Sequence, residues 1–139
     1  MNPEILERLI IAAALGGLGV AGFILFNRFT LKRAESKVAR FASYRPGLPA
    51  LVYFTTPTCA PCKTVQRPAI ERIKGKVGQW FQVIEVDASV QPELAQEWGV
   101  MSVPTTFVID ASGKPRYVNH GVTNAETLIK QLELEDFSI

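Results

Sequence analysis

Residues 51–63 read LVYFTTPTCAPCK and contain both cysteines of the 139-residue chain, Cys59 and Cys62. The apolar and aromatic run at residues 50–55 predicts a short buried strand. The residues that follow predict a helix beginning at Cys59, because Val65, Ala69 and Ile73 recur every four positions on one face, and Pro68 is expected to kink it. The cysteine pair is therefore expected where a strand leads into the start of a helix.

Three interpretations of the cysteine pair are open: a structural disulfide, part of a metal site, or a redox couple. A structural disulfide across two intervening residues would close too small a loop to constrain much of the unfolded chain. A zinc site needs more ligands than two thiolates. The chain offers a single histidine, His120, and carboxylates without ligand-like spacing. We therefore predict no metal and no cofactor.

The redox interpretation is favoured by the position of Cys59 in the first turn of the predicted helix. Unpaired backbone N–H groups and the positive end of the helix dipole stabilise a thiolate at that position. Thiols in Cys-x-x-Cys settings have pKa values of about 3.5–7.5 instead of about 8.5. Cys62 would lie one turn further, close enough to attack a mixed disulfide on Cys59. We predict Cys59 and Cys62 as the catalytic residues.

The remainder of the chain alternates predicted strands and helices. Strands are predicted at residues 81–87, 105–110 and 115–119. A helix is predicted at residues 90–99, with Val90, Leu94 and Trp98 on one side, and a final helix after a capping box of Thr123 and Glu126. The turn ASGK between the last two strands is typical of an antiparallel hairpin. The fold class is α/β, a mixed sheet with helices on both faces, whose first two strands are parallel.

A second feature is the apolar run at residues 9–26, which has 18 residues and no charge. As a helix it would be about 27 Å long, which just crosses a bilayer. A buried core helix and a cleaved signal peptide are the alternatives. A core helix would show a polar face, and a signal peptide begins with positive charge, whereas residues 1–8 include Glu4 and Glu7. We predict an N-terminal tail at residues 1–8, a transmembrane helix at residues 9–26, and the lipid bilayer as a partner.

Residues 27–47 are predicted as a juxtamembrane helix that continues to Tyr44, followed by a linker, ahead of a domain at residues 48–139. One helical face carries apolar residues that would cover the domain or lie at the headgroups: Leu31, Ala34, Val38 and Phe41. Basic residues crowd this segment: Arg28, Lys32, Arg33, Lys37 and Arg40. Basic residues next to a membrane span favour the cytoplasmic side, so we predict a single-pass protein with a cytoplasmic domain, the inverted topology being the alternative. The net charge of +2 shows no preference for nucleic acid, and no nucleic-acid partner is predicted.

The segment LVYFTTPTCAPCK, followed in order by VIEVDASVQPELAQEWGVMSVPTTFVID, SGK and HGV, resembles the thioredoxin family over about residues 48–134. The resemblance implies a thioredoxin-like fold with a four-stranded sheet, because the family's leading strand is replaced by a helical segment. It also implies a cis peptide between Val103 and Pro104 beside the cysteines. The backbone of Val103 would pair with an extended substrate segment. The substrate-binding residues implied are Thr58, Val103, Pro104 and Gly121.

The chain departs from the family pattern at the buried acid that takes a proton from the second cysteine. Tyr53 occupies that place, and Val83 that of its usual lysine companion. A phenol with a pKa of about 10 cannot act as a carboxylate base at neutral pH. Tyr53 is interpreted as a core aromatic with a satisfied hydroxyl, ahead of a catalytic role, and His120 as a solvated loop histidine.

The function predicted from these residues is a membrane-anchored thiol–disulfide oxidoreductase that reduces protein disulfides and is recycled by a further redox partner. The alternative is a membrane-tethered binding module or redox sensor without catalytic turnover. The loss of the acid at the position of Tyr53 is the reason to keep that alternative. If the topology is inverted, the same residues would serve disulfide chemistry outside the cell membrane.

Overall fold

The computed structural model describes residues 2–137. Its helices are α1 (Pro3–Glu35), α2 (Arg67–Val77), α3 (Pro92–Glu97) and α4 (Ala125–Gln131). Its strands are β1 (Ala50–Thr55), β2 (Gln82–Asp87), β3 (Thr105–Ile109) and β4 (Pro115–His120). Short 3₁₀ turns lie at Val38–Arg40, Gly78–Trp80 and Glu135–Phe137.

The strands within residues 2–137 form one four-stranded sheet in the order β2-β1-β3-β4. β1 is parallel to β2, and the β1–β3 and β3–β4 pairs are antiparallel, so the predicted mixed sheet is confirmed. The register pairs Thr55 with Asp87 and Thr105 with His120. These four residues mark one end of the sheet. We call it the cysteine end, because Cys59 follows β1 there, and we call the opposite end, with the β3–β4 turn, the hairpin end.

Two apolar clusters cover the two faces of the sheet. All six residues of the central strand β1 are buried, and the first five, Ala50 to Phe54, alternate between the two clusters. On one face, Leu51 and Tyr53 pack against α2 and α4. On the other face, Val52 and Phe54 pack against α3 and the end of α1. The predicted arrangement of helices on both faces is therefore confirmed.

The N-terminal apolar segment and the residues after it form one uninterrupted helix, α1. It contains a window long and apolar enough to cross a membrane, and 0% of that window is buried against the rest of the chain. Helix was expected to continue to Tyr44, but α1 ends at Glu35 and a single 3₁₀ turn follows. Ala34 and Val38 are buried on the sheet, so the predicted apolar face covers the domain.

The start of α3 differs from the sequence-based prediction. The helix begins at Pro92, where a fixed φ and a missing N–H are suited to a first turn. The preceding residues form a turn in which the N–H groups of Val90 and Gln91 donate to the carbonyl oxygen of Asp87. Val90 therefore lies outside the helix and is 73% exposed, so its expected place on one side of the helix with Leu94 and Trp98 was wrong.

The N-cap of α4 is Asn124 and not Thr123. The Asn124 side-chain oxygen accepts a hydrogen bond from the N–H of Thr127 at 2.8 Å. The Thr123 N–H is taken by the side chain of Gln66 instead. The expected capping box would have made Thr123 the N-cap, so the helix starts one residue later than predicted.

Asp110 organises the β3–β4 turn at the hairpin end. Its carboxylate accepts hydrogen bonds from the hydroxyl and N–H of Ser112, the N–H of Lys114 and the guanidinium of Arg116. Burial raises the pKa of Asp110, but these hydrogen bonds outweigh it and lower the pKa to about 2. The ionised form is therefore favoured more in the folded than in the unfolded chain.

The free energy of unfolding should consequently fall by about 1 kcal/mol as the pH drops from about 4 to about 2, as Asp110 becomes protonated. In Asp110→Asn this part of the pH dependence should disappear, and stability at pH 7 should fall by a similar amount. Urea unfolding of both proteins between pH 2 and pH 7 measures the difference. Asp136→Asn, at an exposed position, is the control. An unchanged pH profile in Asp110→Asn would contradict the assignment.

Candidate active site

The cysteine pair is a disulfide, with sulfurs 2.08 Å and Cα atoms 5.3 Å apart. Cys59 is 8% exposed and Cys62 is 1% exposed, so Cys59 is the more accessible of the two residues. The neighbouring residues Thr58, Ala60 and Pro61 are exposed. Within residues 2–137 there is no group of three or more His, Cys, Asp or Glu side chains that could hold a metal ion.

Cys59 lies directly before the first residue of a helix. The backbone N–H of Cys62 points to the Cys59 sulfur and donates to it at 3.2 Å. The Cys59 carbonyl oxygen accepts the N–H of Lys63, which closes the first turn. After the disulfide opens, a thiolate at Cys59 would face this N–H and the positive end of the helix. This environment stabilises the negative charge of the thiolate that attacks a substrate disulfide.

The helix widens into a π turn at Cys62–Gln66, directly before α2. Pro68 has no N–H, so the α-helical hydrogen bond to the carbonyl of Thr64 cannot form. The N–H of Arg67 donates to the carbonyl oxygen of Cys62, five residues earlier. The irregularity expected at Pro68 therefore begins at the second cysteine.

Because of this turn, the buried face of the helix differs from the expected one. Val65, predicted on that face, is 49% exposed, and Gln66 is 0% exposed. The Gln66 side chain donates to the carbonyl oxygen of Thr123 at 3.1 Å and accepts the Thr123 N–H at 2.8 Å. It joins the active-site helix to the loop after β4. Sequence analysis missed this residue, although a glutamine four positions after Cys62 was the available signal.

Tyr53 lies beneath the cysteine pair and is 1% exposed. Its hydroxyl donates to the carbonyl oxygen of Cys62 at 3.2 Å, which matches its interpretation as a core aromatic with a satisfied hydroxyl. Burial raises the pKa of Tyr53, and the Thr55 hydroxyl and the Arg67 charge offset this only in part. The phenol stays protonated at neutral pH and cannot accept a proton from Cys62.

Replacing Tyr53 by phenylalanine should lower the free energy of unfolding by about 1 kcal/mol, because one buried hydrogen bond to the backbone is lost. The rate of insulin reduction should stay within about twofold of the wild type, since the phenol takes no proton. Urea unfolding and the insulin assay measure the two quantities. Tyr117→Phe, at a position that is 47% exposed, is the matched control. A tenfold or larger loss of rate in Tyr53→Phe would give the phenol a catalytic role.

The loop before β3 brings three of the predicted substrate-binding residues together. The Val103–Pro104 peptide is cis, as the resemblance implied. The carbonyl oxygen of Pro104 accepts the N–H of Gly121 at 2.8 Å. Val103 is partly buried and packs against the cluster that contains Cys59 and Cys62. Thr58 lies next to Cys59 in the preceding turn and is exposed.

His120, at the end of β4, is exposed but contacts α1. Its ring lies 6.0 Å from that of Phe26, measured between centroids, and its Nε2 atom lies 3.2 Å from the side-chain oxygen of Asn27. The sequence-based description of a solvated loop histidine was therefore incomplete. His120 is a contact between the domain and the N-terminal helix, next to Gly121.

Comparison with known proteins identifies this arrangement. The protein-family model described as Thioredoxin matches residues 35–134. A thioredoxin-like protein of Synechocystis sp. is 31% identical over 102 residues, which cover 72% of this chain and 95% of the relative. The chain belongs to the thioredoxin family. Chloroplastic thioredoxin Y of Oryza sativa subsp. japonica is 30% identical over 106 residues, covering 73% of this chain and 62% of its own length.

A solved thioredoxin structure has the same fold. Thioredoxin-2, described as a component of malaria parasite protein secretion machinery, superposes with a TM-score of 0.60 over 66% of this chain and 87% of its own, at 17% identity. Membership of the thioredoxin family, together with the close cysteine pair, supports thiol–disulfide oxidoreductase chemistry. Thioredoxin-family proteins act on protein disulfides and need a partner that supplies electrons.

Proposed function

We propose that this chain is a membrane-anchored reductase of protein disulfides that works through Cys59 and Cys62. The observation that carries the proposal is the Cys59–Cys62 disulfide at the start of a helix, beside the cis peptide before Pro104. The exposed apolar helix α1 supports the membrane anchor.

In the reduced protein, the Cys59 thiolate attacks one sulfur of a substrate disulfide. The substrate S–S bond breaks, a Cys59–substrate disulfide forms, and the first substrate thiolate leaves and takes a proton. The Cys62 thiolate then attacks the Cys59 sulfur and releases the second substrate thiolate. The substrate gains two electrons and two protons, and the pair becomes the disulfide. A dithiol reductant returns the pair to its starting state.

The surface beside the pair, bordered by Thr58, Val103, Pro104 and Gly121 and called the groove below, is proposed to position the substrate. An extended segment pairs with the backbone at Val103, which places the target disulfide over Cys59. Pro104 and Gly121 form the floor next to it, joined by their hydrogen bond. Thr58 borders the opposite side in the exposed turn before Cys59.

The proposed topology places the domain in the cytoplasm, and the proposed direction is reduction. Basic residues follow the apolar run on the domain side: Arg28, Lys32, Arg33, Lys37 and Arg40. Such residues are retained on the cytoplasmic face during insertion. A cytoplasmic pair meets a reducing glutathione and thioredoxin pool, which keeps thiols reduced.

The test of turnover uses the full chain in phosphatidylcholine vesicles, with insulin as substrate and dithiothreitol as electron donor. An oxidoreductase reduces many insulin molecules per protein molecule. A sensor reacts once and then stops, or exchanges no faster than dithiothreitol alone, and either result would overturn the proposal. For topology, Cys62→Ser is expressed in the source cell and the trapped partners are identified on non-reducing gels. Partners from outside the cell membrane would reverse the proposed orientation.

A further inference from the structure

The direction in which α1 leaves the domain relates the active site to the membrane. Phe26 and Asn27 contact His120, which is at the cysteine end of the sheet. The chain after α1 reaches the hairpin end, where a methyl group on Gly113 would lie 2.9 Å from the Tyr44 hydroxyl. Followed backwards, α1 therefore runs along the domain towards the cysteine end and continues beyond it. Residues 3–25 project from the end of the domain that holds Cys59.

No spacer separates the apolar run from the domain. The run ends at Phe26, and the next residue, Asn27, already contacts His120. The helix continues to Glu35 without glycine or proline after Gly22. Thr30 is 2% exposed and Ala34 is 0% exposed, so this part of α1 is held in the core. The membrane segment and the domain are therefore joined rigidly.

The headgroup layer on each side of a bilayer is about 5–7 Å thick. At about 1.5 Å per residue, a layer that starts beyond Phe26 extends to about Thr30 along the helix. His120 lies level with Asn27. The adjacent Gly121 is bonded to Pro104, and Val103 packs against the cluster that includes Cys59. The cysteine end of the sheet, with the Pro104–Gly121 hydrogen bond next to His120, is thus placed at the level of the headgroups.

The surface of the cysteine end is suited to that location. Exposed apolar side chains lie in the segments that leave or enter the sheet there: Val65 (49% exposed), Val90 (73%), Met101 (83%) and Val122 (43%). Exposed apolar side chains at one end of a domain are suited to contact with the apolar edge of a membrane. Their position beside the projecting helix connects this surface to the membrane.

We propose that the substrates are disulfides in the juxtamembrane segments of other membrane proteins, within a few residues of their spanning helices. The inference rests on the proposed function, because it requires both the anchor and thiol–disulfide exchange. The reduced Cys59–Cys62 pair passes two electrons and two protons to such a disulfide and becomes oxidised. A groove that faces the headgroups meets chains emerging from the same bilayer, whereas a disulfide on a distant domain would have to pass between the groove and the membrane. Confinement of both partners to one membrane also raises their effective concentration.

The test uses the full chain in vesicles of phosphatidylcholine with one third phosphatidylglycerol, with dithiothreitol as electron donor. Two single-span peptides in the same vesicles carry a disulfide loop 3 or 20 residues outside the span, and insulin is the soluble substrate. The near disulfide should be reduced at least tenfold faster than the distant one. Equal rates for the two peptides, with insulin still reduced, would overturn the inference alone. Failure to reduce all three substrates would instead overturn the proposed function.

A matched pair of insertion variants tests the height of the domain above the bilayer. Seven helix-forming polar residues inserted between Phe26 and Asn27 raise the domain by about 10 Å and rotate it by only about 20°. The same residues inserted between Arg8 and Leu9 leave its height unchanged. The first insertion should remove the tenfold preference and keep insulin reduction within twofold, and the second should keep both. An unchanged preference after the first insertion would contradict the inference.

A measurement without insertions keeps the inference testable if the raised variant misfolds. A photo-crosslinking amino acid replaces Met101 at the cysteine end or Ala111 at the hairpin end, both exposed. Irradiation in the same vesicles should attach lipid to the position of Met101 at least tenfold more than to the position of Ala111. Equal labelling would show that the cysteine end does not face the bilayer.

Discussion

Replacing Cys59 by serine is expected to reduce insulin turnover to the rate of dithiothreitol alone. The serine hydroxyl is not ionised at neutral pH and cannot form a mixed disulfide, so the first step of the exchange is lost. Cys62 cannot take over the attack, because it is 1% exposed behind Cys59. The insulin assay with the full chain in phosphatidylcholine vesicles measures the loss. Turnover at more than about a tenth of the wild-type rate would remove Cys59 from the mechanism.

Cys62→Ser is the matched control, since it keeps the attacking sulfur and removes the resolving one. It should also fail to turn over at the wild-type rate, but it should accumulate a covalent insulin adduct, up to one per protein molecule. Cys59→Ser should accumulate none. Non-reducing gels distinguish the two variants. If both formed the adduct equally, the order of the two sulfurs would be wrong.

Replacing Trp98 by alanine is expected to cost about 3–5 kcal/mol of stability, a large part of the total for a domain of this size. Trp98 is 0% exposed, and its ring lies 4.9 Å from Phe107, 5.5 Å from Phe41 and 5.8 Å from Phe54, between centroids. The substitution leaves a cavity between the sheet and the segment after α1. Thermal unfolding by circular dichroism should show a midpoint lowered by at least about 12 °C.

Trp98→Phe separates ring packing from hydrogen bonding at the same position. The indole N–H of Trp98 has no hydrogen-bond partner within the described part of the chain, so its removal leaves no other group unpaired. Phenylalanine keeps contacts with the neighbouring rings, and we expect a loss of about 1 kcal/mol or less. A loss as large as that of Trp98→Ala would show that the indole forms a bond that stabilises the fold.

The order of strands and helices could be predicted from the sequence because each element has its own local signal. The strand before the cysteines is continuously apolar, and Gly113, with φ of 87°, fits the hairpin turn. The peptide before Pro104 was predicted as cis through the family resemblance, since local sequence alone favours trans. These features depend on neighbours in the chain or on a recognised motif.

The missed features depend on contacts between distant residues. A kink was expected at Pro68, but the π turn already begins at Cys62, whose carbonyl oxygen accepts hydrogen bonds from both Arg67 and the distant Tyr53. The N-cap choice between Thr123 and Asn124 is decided by Gln66, which is 57 residues away from Thr123. Helix periodicity could not show where α1 would end, because helix-forming residues continue past Glu35. These features can be determined only from the three-dimensional structure.

The burial of Thr30 and Ala34 has a practical consequence for making a water-soluble form of the domain. A version truncated at the linker, near Arg45, would uncover Val52 and Trp98, which the end of α1 and its following turn cover. Such a protein is expected to aggregate during purification. A version that starts just before Asn27 keeps the covering segment and the contact of Asn27 with His120 while omitting the apolar run, and is therefore better suited to crystallisation.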